Sequence, residues 1–256
     1  MKSKIIALFG MTCWLANLAL AAPVIILKLD DLGVKNGKCE AIPTLDYLTR
    51  KQVKAGLGFI ANKNDSTALA TLTPYLQATD AKGTKLFEVW HHGLDHVRPE
   101  FQGTTYDYQK SHFEQADQLL KKLLGVQMHT FGSPYNASDA LTNQVLAENP
   151  NYKVFLYSSL KPADHNGILY LNNRVNMENG TGNPEFAYCQ GNYAAAKGKY
   201  ADYMILQGHP NKWTPEKLEQ FKLIIDFLIG QGCEFVLPYE YFLKSEAAAK
   251  TRPTKG

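Results

Sequence analysis

The chain has 256 residues, of which 45% are hydrophobic and 20% charged, with a formal charge of +3. That composition supports one substantial core and argues against an intrinsically disordered chain. The 27 basic and 24 acidic residues form no basic run, so the sequence carries no electrostatic footprint for nucleic acid.

In chain order, Lys2 and Lys4 precede an apolar stretch from Ile5 to about Leu20, and Ala19-Leu-Ala21 has small residues at both cleavage-site positions. This is the pattern of an export signal covering residues 1–21, which places the mature protein in the periplasm or outside the cell, with no stable membrane insertion after cleavage. Three cysteines then remain, Cys39, Cys189 and Cys233, so at most one disulfide forms within the chain and a buried free thiol is expected.

Beyond the signal, apolar runs alternate with helical patterns. A strand over Val24 to Leu29 precedes a helix around Ala41 to Lys54; a strand over Gly56 to Ile60 precedes a helix near Ser66 to Ala78. The order continues with a strand from Leu86 to Trp90, a helix from Tyr106 to Leu124, a short strand near His129 to Phe131, a helix from Ser138 to Glu148 and a strand from Lys153 to Tyr157. Residues 158–200 are rich in Asn, Gly, Tyr and Pro and read as loops with a short strand at Ile168 to Leu171. Tyr203 to Leu206, a helix opened by Thr214-Pro-Glu and a last strand from Glu234 to Leu237 complete the pattern. Repeated βα units imply an α/β fold with a parallel sheet, closed into a barrel. One catalytic domain is expected over 22–245 and a flexible tail over 246–256.

Chemistry-bearing residues fall after several strands, where such folds gather their sites. Asp30 and Asp31 follow the first strand, and adjacent carboxylates repel unless a cation neutralises one of them. His92 and His96, four residues apart after the third strand, have the spacing that lets two imidazoles of one helical turn converge on a metal. One Asp oxygen with two His nitrogens makes the open three-ligand site of a catalytic zinc. Tyr135 follows Pro134 in the next loop, and His209 follows the strand ending at Leu206. His91 points away from the pair; Arg174 stands ready to bind an acidic substrate group or to form a salt bridge.

Ordered in this way, the residues resemble the polysaccharide deacetylase family, the carbohydrate esterases of family four. Leu29-Asp30-Asp31 is similar to the family's first motif, and Glu88-Val-Trp-His-His-Gly-Leu-Asp-His96 aligns without gaps on its second, Glu-Ile-Gly-Asn-His-Thr-x-x-His. Gly132-Ser-Pro-Tyr-Asn136 is similar to the third, Arg-x-Pro-Tyr-Gly, and Leu206-Gln-Gly-His209 to the last. The resemblance implies a distorted (β/α)7-8 barrel and metal-assisted hydrolysis of acetyl groups on a carbohydrate. It implies Asp31, His92 and His96 as ligands of a divalent ion, zinc first among them, and Asp30 as the base. The Tyr135 N–H becomes the oxyanion donor and His209 the acid. Three positions depart from the family pattern: Gly132 replaces the arginine, no Asp-x-Trp stands near Leu156 to Ser159, and Gly93 replaces a Thr or Ser. Arg174 is a candidate to replace the lost arginine. A related hydrolase of C–N bonds outside sugars and a non-catalytic carbohydrate-binding protein on the same scaffold are the alternatives.

Overall fold

The computed structural model describes residues 22–160 and 166–251; the export signal read over 1–21 lies outside them. Strands β1 (Val24–Val34), β2 (Ala55–Asn64), β3 (Phe87–His91), β4 (Thr130–Phe131), β5 (Val154–Leu156), β6 (Leu169–Leu171), β7 (Arg174–Asn176) and β8 (Tyr203–Gly208) form one sheet in the order 6-5-4-3-2-1-8-7. Every ladder is parallel. Helices α1 (Ile42–Lys51), α2 (Ala68–Leu76), α3 (Tyr106–Leu124), α4 (Ala140–Ala147), α5 (Phe186–Lys197), α6 (Pro215–Gly230) and α7 (Pro238–Thr251) complete it.

The two edges of the sheet are β6 and β7, and only Asn172 and Asn173 separate them. One run of chain therefore pairs with β5 at its start and with β8 at its end, which closes the sheet into the distorted barrel that the sequence predicts. Alternation along β1 divides the interior in two. Ile25, Leu27 and Leu29 face the helices in the larger apolar cluster, while Ile26 belongs to a smaller cluster with Trp90, Val154, Leu156, Leu171 and Ile205.

Several elements differ from the sequence reading. Strand β1 continues five residues past Leu29, so Asp30 and Asp31 lie within it and not at its end. The expected strand at Glu234 to Leu237 is a single bridge from Phe235 to Ile25, because Pro238 starts α7 at once. Helix α7 reaches Thr251 through part of the stretch read as a flexible tail, its Glu-Ala-Ala-Ala-Lys run being a strong helix former; residues 252–256 lie outside the description. Helix α5 falls in the segment read as loops. Its buried stripe is Cys189, Tyr193 and Ala196, residues too weakly apolar to show a clear period. Cys39, Cys189 and Cys233 are all buried and free.

Candidate active site

Strand alternation would put adjacent residues on opposite faces of β1, yet Asp30 and Asp31 both line one cavity of about 300 Å³ at the barrel mouth. The register between β1 and β2 slips between Leu29 and Leu32, and Asp31 sits in the left-handed region at φ 65°. This irregularity re-aims Asp31 toward its neighbour's side, as bulges beside functional sites do.

His92 and His96 reach Asp31 from a loop and not from the expected helical turn. Gly93 (φ 84°) and His96 (φ 57°) bend the chain after β3 so that the two rings lie 5.4 Å apart. At Gly93 a side chain would meet Pro134 at 2.6 Å and the Glu100 carboxylate at 2.9 Å, which explains the absence of the family's Thr or Ser there. Asp31 Oδ1 lies 2.8 Å from His96 Nε2 and 3.3 Å from His92 Nε2. His92 Nδ1–H donates to the Gly132 carbonyl at 2.7 Å, which leaves Nε2 with its lone pair toward the carboxylate. Asp31 Oδ1 is buried with no hydrogen-bond partner. Three ligand atoms, all within 4.8 Å of one another, thus converge on one point. Burial disfavours the Asp31 carboxylate, and protonated His92 and His96 rings would hold it well below the ordinary carboxylate range; with both rings neutral that task falls to a cation. The donor set fits a divalent cation, zinc included, because a cation satisfies lone pairs that otherwise oppose one another.

Asp30 is anchored by residues the sequence reading did not single out. The fully buried Lys28, two residues earlier and on the same strand face, donates to Asp30 Oδ2, and Gln207 Nε2 donates to the same oxygen at 2.6 Å. Asn136 ties Lys28 and Gln207 together at 3.3 and 3.2 Å. Burial lowers the Lys28 ammonium from its ordinary value, with Asp30 opposing that shift. Asp30 Oδ1 has no partner.

Lys28 also accounts for the missing arginine. Its Nζ sits 4.9 Å from the Trp90 ring and 5.2 Å from the Tyr157 ring. Trp90 replaces a glycine of the second motif, and a Cβ on Gly132 would lie 2.9 Å from that indole. A large residue at 90 and a small one at 132 have exchanged places, while the positive charge comes from β1. Tyr157, next to the strand end where the Asp-x-Trp is absent, closes the other side and donates its hydroxyl to the Ile205 carbonyl at 2.9 Å. Arg174, a candidate for that role, contacts the Tyr157 ring and lines the cavity but forms no ion pair among the described residues.

His209 lines the same cavity. Its Nδ1–H donates to Glu178 Oε2 at 2.6 Å, and its backbone N–H and Trp213 Nε1 donate to Oε1 at 2.9 and 2.8 Å. Glu178 stands 31 residues before His209 in an irregular segment that offers no spacing signal. Tyr135, at φ 58°, packs its ring against His96 at 4.4 Å with the planes tilted by 38° and donates its hydroxyl to the His96 carbonyl, and its N–H has no acceptor among the described residues. His91 is a core residue: its ring stacks on Phe113 at 4.5 Å, accepts from Gly93 N and donates to the Phe113 carbonyl, and burial pushes it down to about 4. His129 stacks on Tyr239 away from the cavity.

A search of curated protein sequences gives no match. The fold is similar to the Xyl-CE4 domain of a multidomain xylanase from the hindgut metagenome of Trinervitermes trinervoides, with 19% identity, a TM-score of 0.62, and 88% of this chain and 92% of that one covered. It is also similar to a family 4 acetyl xylan esterase from Clostridium thermocellum in complex with cobalt (19% identity, TM-score 0.58, 86% and 90% covered). A CE4 family pseudoenzyme from Bacillus anthracis has 13% identity and a TM-score of 0.62 over 87% of this chain and 66% of that one. The sequence model described as polysaccharide deacetylase matches residues 19–154, more than half of the chain. With the barrel and the motif positions in place, the chain belongs to the polysaccharide deacetylase family.

Proposed function

We propose that the protein is an exported, metal-dependent deacetylase that hydrolyses acetyl ester or amide groups on a carbohydrate. The observation that carries this reading is the convergence of Asp31, His92 and His96 beside a buried carboxylate oxygen, Asp30 Oδ1, that has no partner. Asp31 Oδ1, His92 Nε2 and His96 Nε2 would hold the ion, zinc by its donor set. When bound, it supplies Lewis-acid polarisation of the acyl group and of the attacking water.

Asp30 Oδ1 takes the water's proton while Lys28 and Gln207 hold Oδ2, so the base has one free oxygen and one fixed orientation. The Tyr135 N–H, left unpaired by its turn, donates to the oxyanion that forms on the acyl oxygen. Glu178 fixes His209 with Nδ1–H inward, leaving Nε2 to deliver a proton to the departing sugar oxygen or nitrogen. Water adds to the acyl carbon, the bond to the sugar breaks, and acetate and the deacetylated sugar leave.

An intact base, oxyanion donor and acid favour catalysis over a purely binding role. The test is zinc content and acetate release from acetylated xylan and chitin oligomers. One ion per chain and release that stops on chelation are expected, with both lost in His92→Ala and His96→Ala; undiminished release in those variants refutes the reading. Release from non-sugar amides alone would move the assignment to the C–N hydrolases.

A further inference from the structure

Two further cavities adjoin the one at the barrel mouth. One, of about 390 Å³, shares Asp31 with it; the other, of about 230 Å³, shares Arg174, Thr181, Gln207 and His209. Six basic side chains line the three: Lys35, Lys38, Lys63, Arg98, Arg174 and Lys212. None forms an ion pair among the described residues. Some lysines of the helical surface are paired, Lys51 with Asp226, Lys110 with Glu148 and Lys121 with Asp117, and others such as Lys122 and Lys217 are not, so what marks the six is their gathering at one mouth.

The acids around the mouth do not balance this charge. Glu178 is committed to His209 and Trp213, and Asp30 faces Lys28, which leaves Asp31 and Glu40 among the lining acids, with Asp65 outside the lining but within reach of the charge of Lys35. The two guanidinium groups are also held in place: Arg98 lies 5.4 Å over the Tyr135 ring, and Arg174 lies 5.3 Å over Tyr157 while its Nε donates to Asn176 at 2.7 Å. Like charges gathered on one concave face repel one another and attract an anion that relieves that repulsion. Planar guanidinium forks match carboxylates in two-point contact.

Resting on the deacetylase reading, we propose that the substrate is an acidic glycan, with carboxylate-bearing sugars flanking the acetylated one. The uronate carboxylates meet Arg98, Arg174 and Lys212 at the mouth, and the lysines beyond Asp31 follow the chain outward.

The test uses the zinc-loaded full chain and two xylo-oligosaccharides of equal length, one with a glucuronic acid branch and one without. Binding is measured by calorimetry at low and at about 0.3 M salt, where charge attraction is screened. Acetate release is measured on the acetylated forms. The acidic oligosaccharide should bind about tenfold more tightly at low salt. That ratio should shrink at high salt and approach one in the Arg98→Gln/Arg174→Gln variant; Lys212→Gln, exposed at the rim, should lower it by a smaller factor. Equal binding of the two sugars overturns the proposal, even where acetate release upholds the deacetylase reading. Tighter acidic binding without acetate release from either sugar overturns that reading and upholds the acidic-ligand face. Displacement of the acidic sugar by an oligonucleotide of equal charge, at equal concentration, overturns the proposal as unselective charge attraction.

Discussion

Replacing Lys28 by Met removes the charge that Asp30 faces while keeping an unbranched side chain between Trp90 and Tyr157. The ammonium is fully buried and Asp30 is 1% exposed, so bulk solvent screens the pair little. Met retains most of the ring contact, since a thioether also packs favourably on aromatics. What is lost is therefore the charge partner. Asp30 is left with one hydrogen bond, from Gln207, and a second oxygen that already has none. Breaking one side of a buried ion pair costs about 3–5 kcal/mol, where an exposed pair costs less than about 1. Urea unfolding at neutral pH measures the loss. A Lys28→Met/Asp30→Asn double variant, which removes both charges and keeps the amide in place, should recover at least half of it. Acetate release should fall in both variants, since each disturbs the base. A loss below about 1 kcal/mol for Lys28→Met, or a double variant no more stable than the single one, would refute the claim that this pair is a dry counter-charge.

Glu88, whose carboxylate accepts from Thr130 and from Tyr239 N, is pushed up to about 7 by burial, so its contribution to stability is full below about 4.5 and lost as pH rises to about 7. His91, pushed down to about 4, contributes in the opposite direction over 4 to 6.5, so the wild type should have a flat profile there and Glu88→Gln should show stability rising with pH in thermal melts. Gly132→Ala should cost about 1–3 kcal/mol by pressing on Trp90, and Gly58→Ala, whose Cβ would lie 2.3 Å from the same indole, should cost more. Gly191→Ala, in α5 with open space around it, should be neutral or stabilising by up to about 1 kcal/mol. His209→Ala should lower kcat by about 10²–10⁴ with little change in KM, and Glu178→Gln should lower it too, because an amide has one acceptor oxygen where the carboxylate accepts with both, so its NH2 must face either the His209 Nδ1–H or the His209 and Trp213 N–H groups.

The barrel and the residues that meet at its mouth were legible because they depend on local signals: apolar runs at strand spacing, and polar residues placed just after them. Lys28 was legible in the same way but overlooked. A lysine at an i, i+2 offset from Asp30, within a run otherwise apolar, can only face the interior with it. The exchange of size between positions 90 and 132 was also visible in the aligned motifs, since a tryptophan stands for a glycine in one and a glycine for an arginine in the other. Glu178 was not legible, because the tertiary fold alone brings it to His209. The unpaired cations were hidden for the opposite reason: scattered from Lys35 to Lys212, they form no run, and only the parallel sheet, which sends the carboxyl ends of its strands to one face, gathers them.

The run from Leu169 to Asn176 serves both margins of the sheet with three paired residues on each side. Edges only three residues long offer another chain little ladder to extend, which guards against edge-to-edge association. The same seam is held by three pairs on each side, against six between β1 and β8. Brief openings of the barrel should begin there, and deuterium should reach the amides of Leu169–Asn176 before those of β1 and β2. Arg174 rides on that seam and lines the cavity, so opening of the seam would also move the cavity wall.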